Sequence, residues 1–271
     1  MKLLINSKKC EYIGSISNSE KNLDNERTKY LIRKQFRTLS GRKKLGLLWL
    51  IFDPIATTLV YFLVLQVFRT NANAESMIIG ITMFRIFTAS IKSGINALSD
   101  FSGGIKAERI RTSVLLNAKF GYRIIDTSMQ CLGVMIILIL GFGTNFTGLL
   151  ALFFFSQLLG IVSEGFGLSF SIIVKRIPDL GNLINYFLLL MFFGSPVLYP
   201  LNMTTGLHYE VNKFNPFSYF VEIVREYAGV GSAINDLDNI TIFIISTIVV
   251  LISYKGFSSL DKIRWEVSTW S

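Results

Sequence analysis

Histidine, cysteine and acidic side chains are scarce in this 271-residue chain, and each shortage removes a class of chemistry. The single histidine, His208, has no partner at metal-ligand spacing, and no HExxH run exists. Its general-base reading is weak without a partner, and it reads as a solvated loop residue. Two cysteines, Cys10 in a polar leader and Cys131 inside an apolar run, cannot build a disulfide framework or a metal cluster. There is no GxxxxGK[ST] phosphate loop and no GxSxG elbow. Energy-driven work by this chain therefore needs a separate ATPase or an ion gradient.

Charge itself is thin: 17% of residues are charged and 51% are hydrophobic. The mean hydropathy of +0.49 is well above that of an ordinary soluble domain. Apolar runs long enough to cross a hydrocarbon core, which takes about 20 helical residues, recur along the chain. The first thirty residues have no continuous apolar h-region and no small-residue cleavage site, so a removable signal is not expected.

The pattern predicts an all-α membrane protein. Residues 1–27 form a polar, loose cytoplasmic leader. Residues 28–45 form an interfacial helix with Leu31, Ile32, Phe36 and Leu39 on one face and Arg27, Lys29, Arg33, Lys34 and Arg37 on the other. Six spans occupy 46–256, at about 46–68, 76–98, 124–142, 147–174, 182–198 and 239–255, and 257–271 is a cytoplasmic tail. The first span carries Asp53 and Pro54 near its start, so it is read as a crossing with a kinked, polar beginning. The second is the weakest, interrupted by Arg85 and Lys92. Spans three and four, separated by GTNFT, must form an antiparallel hairpin.

With both termini inside, 22 of the 27 Lys and Arg fall in cytoplasmic segments, and only Arg69, Lys213 and Arg225 fall outside. That asymmetry explains the net charge of +9 as attraction to anionic lipid, without nucleic acid.

The run "SGRKKLGLLWLIFDP", preceded by the basic helix, and the later "KRIPDLGNLINYFLLLMFFGSPVLYPLNM" with "FNPFSYFVEIVRE" resemble the permeases of ABC-2-type transporters, in particular those exporting bacterial polysaccharides. Asp53 stands where many relatives carry Glu, which keeps the charge. The resemblance implies six spans with external re-entrant helices before the last, in the bacterial cytoplasmic membrane. It also implies a pore made with a second copy of the chain and two copies of a nucleotide-binding ATPase subunit, which bind ATP and Mg; this chain needs no cofactor. The cargo is then a lipid-linked glycan of O-antigen, capsule or teichoic type. A rival within the family is an exporter of a small lipid or drug. From another class, an intramembrane glycan-modifying enzyme needs a catalytic carboxylate or His, and Asp53, Asp126 and Glu164 suggest no such set.

The family's cytoplasmic coupling helix falls within residues 100–117, where Lys106, Glu108, Arg109 and Arg111 are the expected ATPase contacts or else a solvated helix face. Arg42, Lys43 and Lys44 read as topological anchors or as contacts to the pyrophosphate of an incoming lipid-linked glycan. Three deeper charges, Arg85, Lys92 and Glu164, demand partners or a watery cavity, and Glu164 is expected to pair with Arg85 or Lys92. Around Glu164 the small residues Ser163, Gly165, Gly167, Ser169 and Ser171 mark close helix packing. Outside, Tyr199, Phe214, Phe217, Tyr219 and Phe220 suit either a sugar-stacking path or an interfacial aromatic belt. Phe192 and Phe193 read as lipid-facing or packing residues.

Overall fold

The computed structural model describes residues 2–6, 9–13, 17–40, 48–68, 73–101, 112–236 and 239–267. Two short strands open the chain, β1 (Lys2–Asn6) and β2 (Lys9–Ile13), paired antiparallel with Leu3 opposite Tyr12 and Ile5 opposite Cys10. The other main elements among the described residues are helices: α1 (Asn18–Ser40), α2 (Trp49–Phe68), α3 (Ala74–Ile95), α4 (Ala97–Phe101), α5 (Thr112–Phe142), α6 (Phe146–Arg176), α7 (Asp179–Gly194), α8 (Gly206–Lys213), α9 (Pro216–Ala228) and α10 (Asn239–Val267). The leader expected to be loose is thus a hairpin followed by a helix that starts ten residues before the expected boundary at 28.

Among the described residues, three helical stretches are long and apolar enough to cross a membrane: Ala74–Ile95, Ser113–Phe142 and Phe146–Arg176. Shorter apolar stretches lie at Ile51–Val60, Asp179–Gly194 and Ile242–Gly256. Exposed apolar side chains cover the outward faces, among them Leu190 and Phe193 on α7 and Phe243, Ile248 and Leu251 on α10. Such a surface suits lipid rather than water.

Local chemistry sets the boundaries. Asn73 caps α3 by accepting from the Glu75 and Ser76 amides, and Asn145 caps α6 by accepting from the Gly148 amide at 2.9 Å. Between α5 and α6 only Gly143–Asn145 intervene, with Gly143 at φ 66°, so the predicted antiparallel hairpin forms. Pro216 begins α9 behind the Asn215 cap, and Gly229 ends it at φ 73°, a left-handed conformation that favours glycine.

The span that looks weakest by hydropathy, α3, is more enclosed than α5 or α6. It packs chiefly on α6, which also carries α10 and α9. Small residues make that crossing possible. A Cβ on Gly94 would sit 2.3 Å from the Glu164 carbonyl, and one on Gly167 would sit 2.4 Å from the Ile91 carbonyl. On another side of α6, a Cβ on Gly256 of α10 would meet the Gly165 carbonyl at 2.3 Å. The small-residue pattern around Glu164 therefore serves two helix contacts at once, where backbones approach closely.

Candidate functional site

Two networks of ionised side chains lie inside the helical packing. The first joins α3, α5 and α6. Arg123, one turn beyond Lys119 on α5, donates from Nε to Glu164 Oε2 on α6 at 3.0 Å. It also donates from NH1 to Asp126 Oδ2 at 3.0 Å and from NH2 to the Ala89 carbonyl at 3.3 Å. Gln130 donates to the same Asp126 oxygen at 2.9 Å, and Ser93 donates to Glu164 Oε1 at 2.9 Å. Lys119 closes the set by donating to the Ser93 carbonyl at 2.9 Å. Glu164 is 2% exposed and Arg123 3%. Two cations and two carboxylates balance, and further hydrogen bonds come from the Ser93 hydroxyl, the Gln130 amide and backbone carbonyls, which is what makes buried charge tolerable.

Glu164 therefore pairs with Arg123, not with Arg85 or Lys92 as the sequence suggested. Arg85 reaches α2 instead, donating to the Asp53 carboxylate and to the Asp53 carbonyl. Asp53 thus ties the first apolar helix to α3. Lys92 is exposed at the end of α3.

The second network anchors the segment between α7 and α10. Arg225 and Glu222, one turn apart on α9, are both 0% exposed and are 2.8 Å apart. Arg225 also donates to the Pro196, Val197 and Tyr199 carbonyls at 2.8, 3.0 and 3.2 Å, and to the Ser76 carbonyl of α3 at 3.1 Å. Glu222 accepts from the Leu201 amide at 3.1 Å and from the Ala233 amide at 2.8 Å. One ion pair therefore fastens the turn after α7, the start of α3 and the link before α10 to a single helix. Gly80 makes room, since a Cβ there would lie 1.9 Å from the Val197 carbonyl oxygen.

The aromatic candidates separate into different surroundings. Phe217 is 3% exposed and stacks edge-on against Phe84 at 5.5 Å between centroids, so it packs in the core. Phe220 is partly buried against Phe155 at 6.3 Å. Tyr219 packs on the small cluster around Leu201 and Ile242. Phe214 is exposed. Tyr199 donates to the Phe193 carbonyl at 3.2 Å, and its hydroxyl lies 3.1 Å from His208 Nε2. His208 is thus a half-buried partner on α8, not a solvated loop residue. Phe192 is buried against Phe84 at 5.2 Å, while Phe193 faces outward.

The proposed ATPase contacts Lys106, Glu108, Arg109 and Arg111 lie outside the described residues, as do Arg42, Lys43 and Lys44. Of the expected coupling segment, residues 112–117 are the first turns of α5, on the same helix as Lys119 and Arg123.

Sequence reading missed Arg123, Lys119, Arg225 and Glu222. The available signal was spacing: Arg123 with Asp126, and Glu222 with Arg225, stand three apart, where opposite charges face each other on a helix.

A helical bundle with apolar outward faces and helices tied by buried ion pairs suits a membrane protein. The ABC-2 type transporter family matches residues 26–228, so the chain belongs to that family. It is 25% identical over 223 residues to the polysialic acid transport protein KpsM of Escherichia coli, covering 78% of this chain and 86% of KpsM. It is 26% identical over 188 residues to the O-antigen export system permease protein RfbA of Myxococcus xanthus, covering 64% of this chain and 67% of RfbA.

Proposed function

We propose that this chain is the membrane-spanning permease subunit of a polysaccharide exporter, moving a lipid-linked glycan out of the cytoplasm while a separate ATPase supplies the energy. The observation that carries this reading is the pair of alignments with KpsM and RfbA, which run through most of both chains. Two copies of this chain form the pore in the bacterial cytoplasmic membrane, each with six spans and both ends inside. In this arrangement α8 and α9 are re-entrant helices on the external side. The buried Arg225–Glu222 pair supports that placement, because irregular backbone at membrane depth needs internal partners for its carbonyls and amides. Lys106, Glu108, Arg109 and Arg111 contact the ATPase, and Arg42, Lys43 and Lys44 receive the anionic headgroup. Phe214, Tyr199 and Tyr219 are the aromatic residues placed to meet sugar rings; Phe217 and Phe220 support them from within.

Deletion of the gene from its native cells tests this. Surface polysaccharide should fall at least tenfold while its lipid-linked precursor accumulates inside, and plasmid-borne wild type should reverse both. Unchanged surface polysaccharide, with altered resistance to small lipophilic compounds, would instead point to the small-lipid exporter.

A further inference from the structure

Apart from the two networks, the structure has a polar cleft of about 330 Å³ at the end of α3, bordered by α4 and by the α6–α7 link. Its lining includes Lys92, Asn96, Lys175, Asn182 and Asn185, together with Pro178 and Gly181 at the start of α7. Arg85, Lys119, Arg123 and Arg225 all spend their charge on carboxylates or carbonyls of the fold. Lys92 and Lys175 do not: among the described residues neither side chain has an ion-pair or hydrogen-bond partner. Asp179, the carboxylate in the first turn of α7, is exposed and does not line the cleft.

Among the described residues, two unspent ammonium groups facing one polar hollow leave an excess of positive side-chain charge there. Lysine binds phosphate as a compact point charge, and amide side chains add neutral donors. The C-terminal ends of α3 and α6 and the N-terminal end of α7 all open on the cleft, so the helix ends add no net positive field and the two lysines carry the attraction. The volume holds on the order of ten waters, enough for a headgroup and far too little for a polymer.

We infer that this cleft is a binding site for a phosphate or diphosphate anion, held by Lys92 and Lys175 with the amides of Asn96, Asn182 and Asn185. Under the permease reading, on which the lipid-linked source rests, the anion is the diphosphate that joins the glycan to its lipid. The cleft then receives that group at the inner membrane face before the chain enters the conduit.

The test uses the full chain in nanodiscs of phosphatidylcholine, titrated with inorganic pyrophosphate, farnesyl diphosphate and farnesol. Wild type should bind both diphosphates, and the Lys92→Gln/Lys175→Gln variant should bind each at least tenfold more weakly, with farnesol unaffected. The Lys92→Arg/Lys175→Arg variant should bind within threefold of wild type. Tighter binding of farnesyl diphosphate than of pyrophosphate assigns the site to a lipid headgroup; equal binding assigns it to a free anion. Both lysines lie at the cleft surface, so the Gln variant should elute and melt as wild type; if it does not, the two single variants carry the comparison. The proposal is overturned if wild type binds neither diphosphate, or if the Gln substitutions leave binding unchanged. It is also overturned if those substitutions release a bound ATPase without weakening diphosphate binding, which would make the cleft a docking surface. An ATPase that co-purifies with a chain that binds no diphosphate would sink the cleft and leave the permease reading standing.

Discussion

Arg225→Gln should be the most destabilising single substitution in the segment between α7 and α10. The change strands the Glu222 carboxylate in a site with no exposure and removes donors from the Pro196, Val197, Tyr199 and Ser76 carbonyls together. Breaking a buried ion pair by removing one partner costs about 3–5 kcal/mol. At a few degrees per kcal/mol for a chain of this size, the thermal midpoint in detergent should fall by roughly 10 °C. Glu222→Gln should cost less, because an amide oxygen still accepts from Leu201 or Ala233. Lys213→Gln, which opens only the surface pair with Glu210, should move the midpoint by a degree or two, since such pairs are worth about 1 kcal/mol or less. A midpoint for Arg225→Gln equal to that of Lys213→Gln would show that the clamp does not hold this segment.

The inner network predicts an asymmetry. Arg123→Gln leaves Glu164 and Asp126 buried with Lys119 as the remaining cation of the set, whereas Glu164→Gln leaves Arg123 paired with Asp126 and keeps a side-chain acceptor for Ser93. Arg123→Gln should therefore lower the yield of folded protein and its melting midpoint more, by the about 3–5 kcal/mol of a broken buried pair. In a double-mutant cycle, Arg123 and Glu164 should couple by about 1 kcal/mol or more, and Arg85 with Glu164 by less than about 0.5 kcal/mol. Arg85 should couple to Asp53 instead. Coupling of Glu164 to Arg85 as strong as to Arg123 would contradict the observed pairing. Lys119 and Arg123 stand on α5, whose first turns are residues 112–117 of the expected coupling segment. Movement of that segment would reach α3 and α6 through these bonds.

Hydropathy and turn chemistry made much of the fold legible. The apolar runs, the GTNFT reversal between α5 and α6 and the small residues around Glu164 all describe local or nearest-neighbour geometry, which a sequence states directly. The buried charges were hidden for the opposite reason. Arg123 and Lys119 precede the main apolar run, so they were counted with a cytoplasmic loop, yet α5 begins at Thr112 and carries both inside the bundle. Arg225 falls outside on the charge count; its spacing to Glu222 is a local signal, but its carbonyl acceptors on residues 76, 196, 197 and 199 are a long-range convergence that no local pattern states. The same limit applies to the aromatic segment: composition groups Phe217 with Phe214, and only packing against Phe84 separates the core ring from the exposed one. In the leader, polarity suggested a loose chain, whereas Lys2–Asn6 and Lys9–Ile13 pair as a hairpin.

Export through this chain should depend on an ATPase carried by another protein. The most direct measurement is purification of the tagged chain from its native cells in mild detergent, followed by mass spectrometry of the co-eluting proteins. The account predicts a cytoplasmic protein bearing a phosphate-binding loop, in equal amount to the permease and lost when residues 100–117 are replaced. A permease that repeatedly elutes without any such protein, under several gentle conditions and from cells that still export the glycan, would contradict it.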